Sequence, residues 1–194
     1  MAEFHPTGDF EGFQFELFRK FSAESAVDAE GFKRLKADDV VDKTFEGVMA
    51  TYDRHMARTA AQAMPVITDV FLNQGAQYEN IVVPITDGIR TMQVVAHLQK
   101  CYKSEGRELG NSIEKYITLA VIDHEWKEHL REMDDLRRNV QNASIEQKDP
   151  LLIYKLESFK LFDAMIARTS AEVVGFLVRA GLPSAQPTVQ QAQA

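Results

Sequence analysis

Residues 112–140 read SIEKYITLAVIDHEWKEHLREMDDLRRNV, and residues 150–182 read PLLIYKLESFKLFDAMIARTSAEVVGFLVRAGL. In both segments apolar side chains recur at steps of three and four, the spacing of one face of an α-helix. The first stripe consists of Tyr116, Leu119, Ile122, Trp126, Leu130, Met133, Leu136 and Val140. The second consists of Leu152, Leu156, Phe159, Phe162, Ile166, Thr169, Val173 and Leu177. The pattern predicts two long amphipathic helices, at about 112–140 and 150–180, folded back on each other, with charged residues such as Glu125 and Glu132 facing water.

The sequence that connects the two segments is typical of a polar turn. Residues 141–148 have no apolar period, and Ile145 is their only large apolar side chain, which fits a residue tucked under the turn. Asp149 can cap the second helix, and Pro150 suits its first position because the missing N–H would be unpaired there. The first helix would be roughly 40 Å long at 1.5 Å per residue. Part of it must therefore project or lie along another element.

The amino-terminal half predicts further helices. Aromatic residues crowd residues 10–21 at helical spacing, which favours a helix that docks by its phenylalanines. Asp28 can cap a short helix, and Asp38 can cap a longer one that runs to Gly75. Pro65 lies inside this longer pattern, so a kink or break is expected at residues 61–64.

The apolar period changes to two between Tyr78 and Val95, which predicts a β-hairpin at about 79–95. Asp87-Gly88 is typical of a two-residue turn. Such a turn would pair Val83 with Met92 and Ile81 with Val94. Residues 100–110 are then expected to form a helix followed by a bend into the long helix.

The totals describe an ordinary soluble chain. It has 194 residues, of which 45% are hydrophobic and 26% charged, and a formal net charge of −7. Its scattered Lys and Arg argue against nucleic-acid binding, which needs a basic stripe. The single cysteine suits a reducing compartment, and the start lacks the features of a signal peptide, so a cytoplasmic location is expected. The Ala-, Gln- and Pro-rich residues 183–194 predict a disordered tail.

Catalytic chemistry finds little support in the residue pattern. His124, Glu125 and His129 suggest a zinc protease, but its histidines must lie four apart on a helix and these lie five apart. Cys101 has His97 one turn earlier, which favours a packing pair over a nucleophile and its base. No glycine-rich phosphate loop is present. We therefore predict no catalytic, cofactor-binding or metal-binding residue, and a small helical enzyme is the least favoured alternative.

Three runs of sequence carry a resemblance to a known family. IDHEWKEHLREMDDLR at 122–137, EQKDP at 146–150 and YKLESF at 154–159 resemble the distal helical scaffold of SecA, the motor of preprotein translocation. In that family two helices of the scaffold form a two-helix finger. YENIVVPITDG at 78–88 is similar to the helical wing of the longer SecA proteins of the Bacteroidetes type. The resemblance covers roughly residues 10–183.

The resemblance implies a domain organisation and a function. Residues 1–110 would be a helical wing-like lobe with a β-hairpin, and residues 111–182 the scaffold hairpin, in a mainly α fold. The module would be non-catalytic, would transmit nucleotide-driven movement, and would contact unfolded preprotein and the SecY channel. ATP and Mg would bind to the parent's remaining SecA domains, outside these residues. The chain would be cytoplasmic and peripheral at the inner membrane through the translocon.

The resemblance also implies roles for particular residues. The fingertip that contacts preprotein and channel would be Ser144, Ile145 and Glu146. The structural core that stiffens the hairpin would be Trp126, Leu130, Phe159 and Phe162. The family often carries a tyrosine where this chain has Ile145, so an aromatic fingertip contact is not implied here. The alternative is a stand-alone helical adaptor that binds a partner helix or peptide, and bare apolar stripes could also pair two copies as a homodimer.

Overall fold

The computed structural model describes residues 3–140 and 149–183 of the chain. The elements in order are α1 (Phe10–Phe21), α2 (Ala29–Arg34), α3 (Ala37–Gln74), β1 (Asn80–Thr86), β2 (Thr91–His97), α4 (Leu98–Lys103), α5 (Arg107–Val140) and α6 (Pro150–Leu177). The prediction of a mainly α fold with a helical hairpin and one β-hairpin is confirmed.

The described residues form two compact units. The lobe is drawn from Met1–Lys115 and Gly175–Ala194, and the hairpin unit from Tyr116–Val174. Both α5 and α6 contribute residues to each unit. The lobe is therefore built from two separate parts of the chain.

The first part of the lobe is organised around aromatic packing. The rings of Phe13 and Phe32 stack with centroids 5.0 Å apart, and Phe10 meets Phe32 edge-on at 5.5 Å. Leu17 on α1 and Val40 on α3 are buried in the same cluster. The predicted docking helix at residues 10–21 is confirmed, because its phenylalanines supply much of this core.

Helix α3 differs from its prediction at its amino terminus, and of the two outcomes expected at Pro65, a kink or a break, the break does not occur. The helix continues through Pro65, and the buried side chains of Ala63 and Ile67 on either side hold that part of it in the core. Its amino-terminal cap is Lys36, which makes no side-chain capping bond, so the assignment of Asp38 as the cap is wrong. Asp38 lies in the first turn instead, where its negative charge interacts favourably with the positive end of the helix dipole.

The β-hairpin has the predicted position but a different register. Val83 pairs with Val94, not Met92, and Ile81 pairs with Ala96, a shift of two residues. The turn is longer because the Asp87 carboxylate accepts hydrogen bonds from the backbone N–H groups of Ile89 (2.9 Å) and Arg90 (2.7 Å). A shift of two keeps the same side chains on the apolar face, so the pattern alone could not exclude it.

The bend before the long helix lies at residues 104–106, and α5 begins at Arg107, about five residues before the predicted start. Gly106 has a φ of +86°, and a Cβ there would lie 2.9 Å from the Cβ of Ala60. Only glycine combines this left-handed conformation with so close an approach to α3.

The end of the described chain closes the lobe. Phe176, Val178 and Ala180 are buried. Gly181 pairs with Thr86 at the free edge of β1 through two backbone hydrogen bonds of 2.9 Å. The carboxyl-terminal segment thus protects part of a sheet edge that would otherwise expose unpaired donors and acceptors.

Candidate functional site

The hairpin unit consists of the distal part of α5 and most of α6, which run antiparallel. Arg168, about two thirds of the way along α6, contacts Glu125 on α5, whereas Pro150 and Tyr154 at the start of α6 line one pocket with Val140 at the end of α5. The cap predicted for α6 is confirmed, because the Asp149 carboxylate accepts hydrogen bonds from the N–H groups of Leu151 (2.9 Å) and Leu152 (3.4 Å).

The buried face of α5 is not the predicted apolar stripe. Between Tyr116 and Leu136 its buried side chains are those of Ile117, Val121, Glu125 and His129, spaced four apart, and of the predicted stripe only Val140 at the end of the helix is buried. This face is apolar in its first half and polar in its second. The expectation that Glu125 faces water is wrong, since the residue is 6% exposed.

The predicted stripe of α5 lies largely in solvent instead. We call Leu119, Ile122, Trp126 and Leu130 the α5 stripe, because all four are exposed large apolar residues at steps of three and four. Trp126, for example, is 46% exposed. The second helix presents Leu152, Leu156, Phe159, Phe162 and Ile166 in the same way, with Phe159 71% exposed, and we call these the α6 stripe.

The four residues assigned to the structural core of the hairpin therefore do not form a buried core. Trp126, Leu130, Phe159 and Phe162 are all exposed large apolar side chains. Two of them retain a local packing role. The ring of His129 lies 5.6 Å from that of Trp126 and meets that of Phe162 edge-on at 5.9 Å, so the three rings join α5 to α6.

A polar contact links the two helices beside these rings. The Nε atom of Arg168 donates to the Glu125 carboxylate at 2.9 Å, and its Nη2 atom donates to the Glu132 carboxylate at 3.1 Å. We call these three residues the Arg168 clasp. The hydrogen bonds from Arg168 to the two glutamates raise the pKa of its guanidinium above the usual value. Charge-assisted bonds of this kind are stronger than those between neutral groups.

Several other charges of the hairpin pair within their own helix. Lys127 bonds Asp123 at 2.6 Å, Arg131 bonds Glu128, and Lys160 bonds Glu157 at 2.8 Å. These are exposed pairs at helix-neighbour spacing, which contribute little to stability. The Arg168 clasp differs because its partners lie on the other helix.

The groups considered for catalysis lie in unreactive settings. Cys101 is fully buried, and this desolvation, assisted by the charge of Glu108, raises the pKa of its thiol to about 11. His124 is exposed, whereas His129 is packed between two aromatic rings. Within residues 3–140 and 149–183, no group of three or more His, Cys, Asp or Glu could hold a metal ion. None of the described helices combines the length and apolarity needed to span a membrane.

The predicted fingertip, Ser144, Ile145 and Glu146, lies outside the described residues. The Arg168 clasp, by contrast, was not predicted. A sequence signal for it exists: Glu125 and Glu132 lie seven apart and so share a helix face. Arg168 interrupts the apolar run MIA at 165–167 before Thr169. Such a signal identifies a partner only after the antiparallel register is known.

Comparisons with known proteins agree with the architecture. The family model of the SecA Wing and Scaffold domain matches residues 5–181. The protein translocase subunit SecA of Parabacteroides distasonis is 49% identical over 187 residues, which cover 96% of this chain and 17% of that protein.

Two further SecA proteins match at similar levels. That of Bacteroides fragilis is 46% identical over 193 residues, covering 100% of this chain and 17% of the relative. That of Flavobacterium psychrophilum is 44% identical over 186 residues, covering 96% and 17%. The chain thus spans about one sixth of the length of these relatives. No solved structure matched it.

Proposed function

This chain belongs to the SecA family of protein translocase subunits, and on that premise we propose that it is a non-catalytic mechanical and interaction module of an ATP-driven translocase. In this role the hairpin unit transmits movement generated by nucleotide-binding domains elsewhere in the parent protein. The connection between α5 and α6 contacts unfolded preprotein at the SecY channel, with Ser144, Ile145 and Glu146 at its tip.

The observation that carries the proposal is the pair of exposed stripes on the hairpin unit. Contiguous apolar faces on a soluble protein mark interaction surfaces, because leaving them in water is unfavourable. Since the chain corresponds to about 17% of its relatives' length, we propose that the remaining SecA domains cover part of these stripes. A module held on both helices in this way can move as one body with its neighbours.

ATP and Mg bind, in this proposal, to the parent's other domains. The buried, neutral Cys101 thiol and the packed His129 ring also offer no activated nucleophile or base. The module works on the cytoplasmic side, held at the inner membrane through the translocon. Two copies can associate through the same stripes when the other domains are missing.

The fingertip assignment is tested by Ile145→Gly in the full-length parent protein. We expect slower preprotein translocation into inner-membrane vesicles, with an unchanged melting temperature, because the substitution removes the only large apolar side chain of residues 141–148. Asn142→Gly is the matched control, since it adds a glycine to the same connection away from the tip. Equal translocation rates for the two variants would refute the assignment.

A second measurement separates the module from a stand-alone adaptor. The 194-residue chain alone is expected to hydrolyse no ATP above the background of a heat-denatured sample. It is also expected to bind unfolded preprotein weakly without the rest of the motor. Tight equilibrium binding of a peptide by this chain alone would favour the adaptor.

A further inference from the structure

We propose that Arg168 is a positioning residue that fixes the axial register between α5 and α6. The inference rests on the proposed function, in which the hairpin carries movement along its length. The two helices can transmit an axial displacement only if one does not slide along the other. The Arg168 clasp is the described contact best suited to prevent such sliding.

The geometry of the clasp opposes displacement in both directions. Arg168 reaches Glu125 with Nε at 2.9 Å and Glu132 with Nη2 at 3.1 Å. The glutamates are seven residues apart, which is about 10 Å along the helix axis. A guanidinium held between them moves away from one carboxylate whenever it moves toward the other. Sliding by even one residue, about 1.5 Å, therefore breaks at least one charge-assisted bond.

Fully buried apolar side chains are few in this part of the hairpin. Between Val121 and Val140 the buried residues of α5 are Glu125 and His129. On the facing helix Met165 is buried, whereas the α6 stripe is exposed. Apolar burial is non-directional and tolerates small displacements, whereas a two-pronged guanidinium contact has a fixed geometry.

The charge balance makes the position specific for arginine. Two carboxylates on one face of α5 share a single guanidinium, so its loss leaves two acids without their inter-helix partner. A lysine at position 168 offers a compact ammonium in place of the fixed fork. It can neutralise one glutamate, but it cannot hold both at these separations. Arg168→Lys therefore keeps the positive charge but removes the forked geometry of the guanidinium, so it tests the two contributions separately.

The test measures the register directly in the 194-residue chain. Spin labels at His124→Cys on α5 and Ala164→Cys on α6 occupy exposed positions that are offset along the axis, so sliding changes their separation. Cys101 is buried and takes no label. Pulsed electron paramagnetic resonance then gives the distribution of distances between the two labels. The parent is expected to show one narrow distribution.

Arg168→Met keeps an apolar stem and removes the clasp. We expect a second or broadened distance population, enriched at least about tenfold over the parent, because sliding costs the parent at least one charge-assisted hydrogen bond and costs this variant none. Arg168→Lys should give an intermediate width. Arg131→Met is the matched control, because Arg131 pairs with Glu128 on its own helix and should leave the distribution narrow.

A narrow, unchanged distribution in folded Arg168→Met overturns the proposal. If that variant lacks the parent's helical circular dichroism, Arg168→Lys decides: broadening supports the clasp, and a parent-like distribution overturns it. The full-length parent then provides an independent readout, the ATP hydrolysed per preprotein translocated. A changed register with an unchanged ratio would retain the clasp and refute the mechanical role. An unchanged register refutes the clasp whatever the ratio.

Discussion

Alanine substitutions at Ile117 and at Leu119 should distinguish the buried face of α5 from its exposed face, because they should lower the free energy of unfolding by different amounts. Ile117 is 0% exposed and Leu119 is 55% exposed, although they are only two positions apart. At about 100° per residue they lie on nearly opposite sides of the helix. The sequence pattern placed Leu119 on the packed face, whereas the structure places Ile117 there.

The expected magnitudes follow from this difference in burial. Ile117→Ala removes three buried carbon groups, at about 0.8 kcal/mol each, and leaves a cavity, so its cost is about 3 to 4 kcal/mol. Leu119→Ala removes a side chain that is less than half buried, and alanine slightly favours the helix, so its cost is about 0.5 to 1 kcal/mol.

Urea denaturation followed by far-ultraviolet circular dichroism measures both costs, with an unchanged m-value as the check that the same surface unfolds. For a chain of this size the melting temperature should fall by about 10 °C for Ile117→Ala and about 2 °C for Leu119→Ala. The double variant should show nearly additive losses, because the two side chains do not share a face. Equal losses, or a larger loss for Leu119→Ala, would refute the assignment of the buried face.

Three further predictions concern single residues. Asp87→Ala should destabilise the lobe by about 1 to 3 kcal/mol because two backbone donors in the turn lose their acceptor, while Asp87→Asn should lose less; thermal melts compare the two. Burial opposes ionisation of Asp87, but the hydrogen bonds from the N–H groups of Arg90 and Ile89 outweigh it and lower the pKa of the carboxyl group. The resulting stabilisation is therefore present above pH 3.8 and is lost as the pH falls below that value. Asp87→Asn has no carboxyl group at this position and should not show this pH dependence. Cys101 should resist a maleimide reagent at pH 8 until urea unfolds the chain, and rapid labelling of the native protein would contradict its burial. The raised pKa of the thiol also predicts that the free energy of unfolding falls between pH 9 and about 11, because only the unfolded thiol ionises in that range. Asp149→Ala should cost about 1 kcal/mol by removing the cap of α6, with Asp149→Ser retaining most of it, and identical melts for parent and Asp149→Ala would show that the cap contributes nothing.

Local signals were sufficient for much of the fold. Periodicity located both long helices, and the caps at Asp28 and Asp149 depend only on residues within one turn. The alternation before Asp87 located the β-hairpin for the same reason. The signals that failed were those decided by distant contacts. The turn lengthened because the Asp87 side chain bonds its own backbone, and α3 passed through Pro65 because neighbouring side chains are buried in the lobe.

The candidate site required more than periodicity. Glu125 lies between residues of the predicted apolar stripe, so the pattern assigns it to the water-facing side and assigns the stripe to the interior. Glutamate is rarely buried without a partner, and Glu125 has one. Its partner, Arg168, lies 43 residues away on another helix. The pattern could not predict that Trp126 and Phe159 are exposed, because an apolar stripe has the same spacing whether it packs within its own chain or against another domain.

The discontinuity of the lobe sets an order on its synthesis. Phe176, Val178 and Ala180 complete its interior, and Gly181 seals the edge at Thr86. The ribosome makes these residues only after every residue of the hairpin unit. The interior of the lobe therefore stays incomplete until the 59 residues of the hairpin unit, Tyr116–Val174, have left the exit tunnel. Chaperones that shield nascent apolar segments would have their longest opportunity to bind during that interval.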